Sequence, residues 1–157
     1  MESDRVDGWP PSREVVALAA LSLGAFAYVT AESLPIGLLG PMADGLGVSR
    51  SAVGLLVTAY GLVVVAVTLP LTRAARRLPR RRVMTVLLLV FTVTTVVAGS
   101  ASTYWVVVAA RAATACSQAL FWALVVPTAL GIVPTHRRGM AVTTVFSGVS
   151  LASVAGG

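Results

Sequence analysis

Five apolar runs without a charged side chain organise this chain of 157 residues. They cover positions 15–31, 51–72, 83–110, 112–135 and 139–157. A helix crossing about 30 Å of hydrocarbon needs roughly 20 residues. Backbone in lipid must also pair its N–H and C=O groups within its own segment. Runs of this length and number therefore predict helices that span a membrane. Composition points the same way. Charged residues make up 11% of the chain and hydrophobic residues 57%, with a mean hydropathy of +0.88. A soluble domain carries about 25% charged residues. Neither a soluble enzyme nor a disordered tail can be built at this polarity.

The stretch 83–135 is too long for one span and breaks at Gly99–Thr103, just before the interfacial pair Tyr104 and Trp105. The reading is an all-α, polytopic membrane helical bundle. After a tail at 1–14, four full spans are predicted at 15–39, 51–72, 83–101 and 105–130, with the start of a fifth at 140–157. All twelve basic residues are arginine. Arg5, Arg13, Arg73, Arg76, Arg77, Arg80, Arg81, Arg82, Arg137 and Arg138 fall on one side of these spans, and only Arg50 on the other. The positive-inside rule then predicts a multi-pass protein of the cell inner (plasma) membrane with a cytoplasmic N-terminus. Clustering between apolar runs makes the arginines a topology signal rather than a nucleic-acid footprint, despite a pI near 11.1. The tail mixes both charge signs with Pro10 and Pro11 and does not read as a signal peptide. Cys116, the single cysteine, reads as a small buried hydrophobe. Asp44 is expected to cap a helix or turn. His136 lacks a second ligand, so neither a metal nor a cofactor is expected.

Two charges stand inside predicted spans. Glu32 and Arg111 both lie roughly 10 Å below the outer surface at 1.5 Å per residue. A charge on a helix in lipid costs about 3 kcal/mol or more. Either these side chains snorkel to water, which Arg111 does more easily than the shorter Glu32, or they face the bundle interior and pair there or share a cavity. The second reading makes Glu32 a candidate proton carrier and both residues candidate substrate-cavity groups. Tyr28, Tyr60, Gln118 and Trp122 are candidate cavity-lining residues, with helix contact as the plainer alternative. Gly148, Ala152 and Gly156 recur every four residues, a spacing that lets helices approach closely.

Four passages together resemble the N-terminal part of a major facilitator superfamily transporter, in its drug:proton antiporter and sugar-efflux-like branch. The first runs from Ala31 to Ala43, followed by Leu46-Gly47-Val48-Ser49, with Glu32 at the family's acidic position. The second is the loop holding Arg73, Arg76, Arg77, Arg80, Arg81 and Arg82, which resembles the cytoplasmic gating loop between spans 2 and 3. There Thr72, Arg76 and Pro79 replace the usual glycine, aspartate and second glycine. The third is Arg111, at the family's span 4 arginine, followed by Thr114 and Ala115 in place of Gln and Gly. The fourth is the span 5 passage, where Gly148, Gly156 and Gly157 match the antiporter signature and Ala152 and Ser153 do not. The resemblance implies proton-coupled efflux of a drug or small metabolite by alternating access, without enzymatic chemistry. Its implied partners are the lipid bilayer, protons, a small-molecule substrate and the remaining half of the transporter.

A family member has about twelve spans, so a chain ending inside span 5 reads as a fragment or a shortened product. Two alternatives stay open: a small dimeric four-span multidrug exporter, and a non-transporting membrane scaffold. The first conflicts with the long arginine loop and the fifth-span glycines. The second predicts that neither Glu32 nor Arg111 affects any flux.

Overall fold

The computed structural model describes residues 11–155. Among these it is helical throughout, with no strand. Helix α1 spans Pro11–Gly37, α2 Leu39–Leu46, α3 Arg50–Ala75, α4 Arg80–Ser100 and α5 Tyr104–Ile132. A single 3-10 turn at Thr135–Arg137 leads into α6, Arg138–Ala155. The helical segments 13–37, 50–75, 80–100, 104–132 and 135–155 are each long and apolar enough to cross a membrane. The chain is an all-α membrane helical bundle.

Local sequence sets the helix ends. Proline lacks the N–H that a first helical turn leaves unpaired, and α1 already begins at Pro11, ahead of the run that starts at Val15. Near the other end of α1, Pro35 lacks the N–H that would bond the carbonyl of Ala31. The helix ends at Gly37, and α2 follows after Leu38 alone. What reads in sequence as an outer loop at 40–50 is thus mostly helix. It closes at Gly47, in the left-handed region at φ 62°, while the Val48 N–H reaches back to the Ala43 carbonyl at 3.0 Å. Ser49 then caps α3, its Oγ accepting from the Ala52 N–H at 3.2 Å. Gly47 and Ser49, rather than Asp44, do the capping here.

Helix α5 is the centre of the bundle. Twelve of its residues are buried, more than in any other helix, and it packs on α1, α3, α4 and α6. Its Phe121 is fully buried with Tyr28 of α1, and Leu18, Leu87, Val125 and Val145 complete the same core. Helix α6 packs on both α1 and α5 and is held very close to α1. A Cβ on Gly148 would clash with the Ser22 carbonyl and lie 2.8 Å from its Oγ. In lipid such proximity supplies dispersion contacts that the hydrophobic effect cannot. Ala152, one turn on, is 1% exposed. Gly156 and Gly157 lie outside the described residues.

The outward faces are apolar. Leu55, Leu62, Val65 and Leu69 on α3 and Val86, Leu89 and Val93 on α4 are exposed, as hydrocarbon requires. Many hydroxyls within the spans bond their own helix: Thr72 donates to Thr68 O at 2.6 Å, Thr92 to Leu88 O at 2.8 Å and Thr128 to Leu124 O at 2.6 Å.

Candidate functional site

Helix periodicity puts Arg111, Thr114 and Gln118 of α5 on one face, since steps of three, four and seven residues stack along a helix. Arg111 and Gln118 on that face meet α1 and α3, and Thr114 meets Thr94 of α4. The Arg111 guanidinium donates from Nη1 to the Ala31 carbonyl at 2.8 Å. This is the carbonyl that Pro35 leaves without its helical donor, so a cation fills a vacancy written four residues away in sequence. The guanidinium carbon also sits 4.4 Å from the centre of the Tyr60 ring of α3. A desolvated cation over an aromatic face gains about 2 kcal/mol.

The contacts continue. The Tyr60 hydroxyl donates to Gln118 Oε1, and Gln118 Nε2 donates to Glu32 Oε2 at 2.8 Å. Arg111, Tyr60 and Gln118 are all buried, at 9%, 4% and 4% exposure. Glu32 ends the series and is exposed on its other side. Arg111 and Glu32 therefore meet through two intermediaries. Direct pairing, one expectation from their equal depth, is not observed: the ion pair found among the described residues joins Glu14 to Arg137 at 4.0 Å, at the opposite end of the bundle. The reason is local. Arg111 is turned toward the bare carbonyl of Ala31, and Gln118, two turns further along α5, reaches Glu32 instead.

Behind Arg111 opens a cavity of about 410 Å³ between α1, α2, α4 and α5. Leu34, Leu38, Met42, Gly99, Val107 and Thr114 contribute to its mostly apolar walls. Arg111 brings its charge to this cavity, and its Nε has no hydrogen-bond partner. Glu32 does not line this cavity. The single pocket shared by both charges, the other expectation from sequence, is replaced by a relay with a cavity at one end and an open carboxylate at the other.

Tyr28 and Trp122 stand apart from this relay. Tyr28 is 0% exposed and belongs to the core rather than to a cavity wall. Its ring lies 4.3 Å from Phe91 and 4.7 Å from Phe121, and its hydroxyl pairs with Ser117 Oγ at 3.0 Å and donates to Leu87 O at 3.2 Å. Trp122 is half-buried between Phe121 and Phe146, toward α6, and contacts helices rather than lining the cavity. Sequence reasoning missed Ser117 and the Thr94–Thr114 hydroxyl pair at 2.8 Å. It also missed the Ala31 carbonyl, although Pro35 was the available signal.

The arginine loop forms the other polar region. Arg73, Arg76, Arg77, Arg80, Arg81 and Arg82 are all exposed where α3 ends and α4 begins. Arg80 crosses to α5 and donates from Nη1 to Pro127 O at 2.9 Å. Among the described residues no carboxylate lies within 4 Å of any of the six. No group of three His, Cys, Asp or Glu residues among those described could hold a metal ion.

Comparison with known proteins extends these observations. The family model of the Major Facilitator Superfamily matches residues 21–157. A chloramphenicol efflux pump of Mycobacterium tuberculosis, in strain CDC 1551 / Oshkosh and again in strain ATCC 25618 / H37Rv, is 40% identical over 148 residues. The alignment covers 94% of this chain and 36% of the pump, so the chain spans about a third of the length of these curated relatives. Members of this family move solutes and are not enzymes. The spans, their helical packing and the matched sequence lead to one conclusion: this chain belongs to the Major Facilitator Superfamily.

Proposed function

We propose that this chain forms part of a plasma-membrane exporter that moves a drug or small metabolite outward in exchange for protons, by alternating access. The N-terminus and the arginine loop face the cytoplasm in this reading, a view supported by ten arginines on that side against one on the other. Because the chain spans a third of its relatives' length, the transport unit includes further helices that complete the substrate path. The similarity to a chloramphenicol efflux pump makes chloramphenicol the first substrate to try.

One observation carries the coupling: the contacts from Glu32 through Gln118 and Tyr60 to Arg111. As a carboxylate, Glu32 accepts from the Gln118 amide, and negative charge balances Arg111 across two polarisable groups. Once protonated, Glu32 no longer offsets that cation. The Gln118 amide oxygen then turns to Arg111 and takes up its Nε donor, which is free, and open to a substrate oxygen in the cavity, while Glu32 holds the amide. Proton and substrate thereby compete for one charge balance, which is what exchange requires.

The test is efflux of chloramphenicol from proteoliposomes holding the complete protein under an imposed pH gradient. Glu32→Gln keeps the bond to Gln118 and removes the titration, so gradient-driven efflux should fall to the unloaded background. Undiminished efflux with the same dependence on pH would refute the coupling, whereas a wild type that moves no chloramphenicol at all would favour a scaffold role.

A further inference from the structure

The arginine-bearing end of the bundle contains a second hollow, apart from the contacts that link Glu32 to Arg111. A groove of about 280 Å³ runs between α3 and α4, with Leu120 of α5 among its walls. Leu71, Leu78, Val83 and Val86 line its sides, and its one polar lining side chain is Arg82. From Arg82 to Leu87 the wall extends roughly 8 Å along α4. Leu78 and Val86 are more than half exposed, at 57% and 55%, so the groove is open on its outward side.

The two ends of this site ask for different chemistry. Apolar walls gain nothing from water and fit a hydrocarbon chain. Arg82, with Arg76, Arg77 and Arg81 in the adjoining turns, carries positive charge that no described carboxylate offsets. Three successive arginines also stand at the N-terminus of α4, where the helix dipole disfavours cations, so an external anion relieves two repulsions at once. An occupant must present an anionic head to the arginines and an apolar tail to the groove, and must arrive in the plane of the membrane. We propose that this groove binds one acyl chain of an anionic phospholipid from the leaflet on the arginine side, with its phosphate held by Arg82 and the neighbouring guanidinium groups. Planar guanidinium groups match phosphate oxygens in bidentate geometry. Basic pockets between membrane helices are suited to such head groups.

Native mass spectrometry of the complete protein in detergent tests this with three probes: phosphatidylglycerol, phosphatidylcholine with the same acyl chains, and glycerol phosphate without chains. Phosphatidylglycerol should be retained, phosphatidylcholine markedly less, and glycerol phosphate not at all. Arg82→Gln should weaken phosphatidylglycerol retention about fivefold, the equivalent of the ~1 kcal/mol contributed by an arginine near an anionic surface. Arg50→Gln, the same change at the opposite end of the bundle, should leave it unaltered. Ala74→Leu, which fills the groove without touching charge, should also reduce retention. Because Arg82→Gln and Arg50→Gln both remove an exposed charge, they decide the matter even if Ala74→Leu fails to fold. Equal retention of both lipids would overturn the proposal. So would glycerol phosphate binding as well as the lipid, which marks a free-phosphate site, or Arg82→Gln behaving like Arg50→Gln. Loss of all lipid in wild type would overturn it too, since another helix would then cover the groove.

Discussion

The two polar regions of this bundle treat the same residue type in opposite ways. Arg111, inside a span, is 9% exposed and engages both a carbonyl and an aromatic face. The arginines at 73–82 are exposed, and only Arg80 has a described hydrogen-bond acceptor. Depth in the membrane accounts for the difference. At the interface water solvates a guanidinium and no partner is needed. In hydrocarbon a donor needs an acceptor inside the protein; Nη1 of Arg111 has one, while Nε is left without a partner beside the cavity. The internal arginine is therefore specified by its surroundings, whereas the external ones are specified by sign and number. Replacing one arginine at a time should expose that contrast.

The largest effect is expected at Arg111. Arg111→Gln strips the Ala31 carbonyl of its donor and removes the cation from Tyr60. It should destabilise the folded bundle by about 3 kcal/mol, the upper range for breaking a buried charged hydrogen bond. Denaturant unfolding of the detergent-solubilised protein measures this, and a change within noise would erase the distinction between the regions. Tyr60→Phe comes next. It leaves the ring under Arg111 but orphans Gln118 Oε1, for a loss of about 1 to 2 kcal/mol by the same measurement. Smallest are the loop arginines, and they should separate from one another. Arg80→Gln forfeits a bond to Pro127 O and should cost about 1 kcal/mol. Arg76→Gln, with no described partner, should stay within about 0.5 kcal/mol of wild type.

The same contrast explains what the chain discloses before its structure is known. Spans and loop arginines are legible because hydrophobic length and charge sign are properties of single segments. The helical stretches at 50–75 and 80–100 overrun their apolar cores by a turn or less on the arginine side, since long basic side chains let a helix continue into the head groups. The depth of Glu32 and Arg111 is legible too, from residue counting. Their partners are not. Nothing in the sequence of α5 says that Gln118 rather than Arg111 meets Glu32, because that depends on the rotation of α1 and α3 about their axes. Tyr28 and Tyr60 look alike in sequence, yet one is sealed among Phe91 and Phe121 and the other underlies the cation. Helix α2 was also hidden, since Gly40, Pro41 and Gly45 read as loop residues while its stop signal at Gly47 and the start signal at Ser49 stand close together.

Mutual exclusion of a proton on Glu32 and a substrate at Arg111, through Gln118 and Tyr60, is the core of the proposed exchange. It is tested most directly by proton release when chloramphenicol is added to the complete, unbuffered protein in detergent, followed with a pH-indicating dye. Wild type should release protons on binding, and Glu32→Gln should bind without release. Equal release from both proteins would show that the exchanged proton resides elsewhere and would contradict the account.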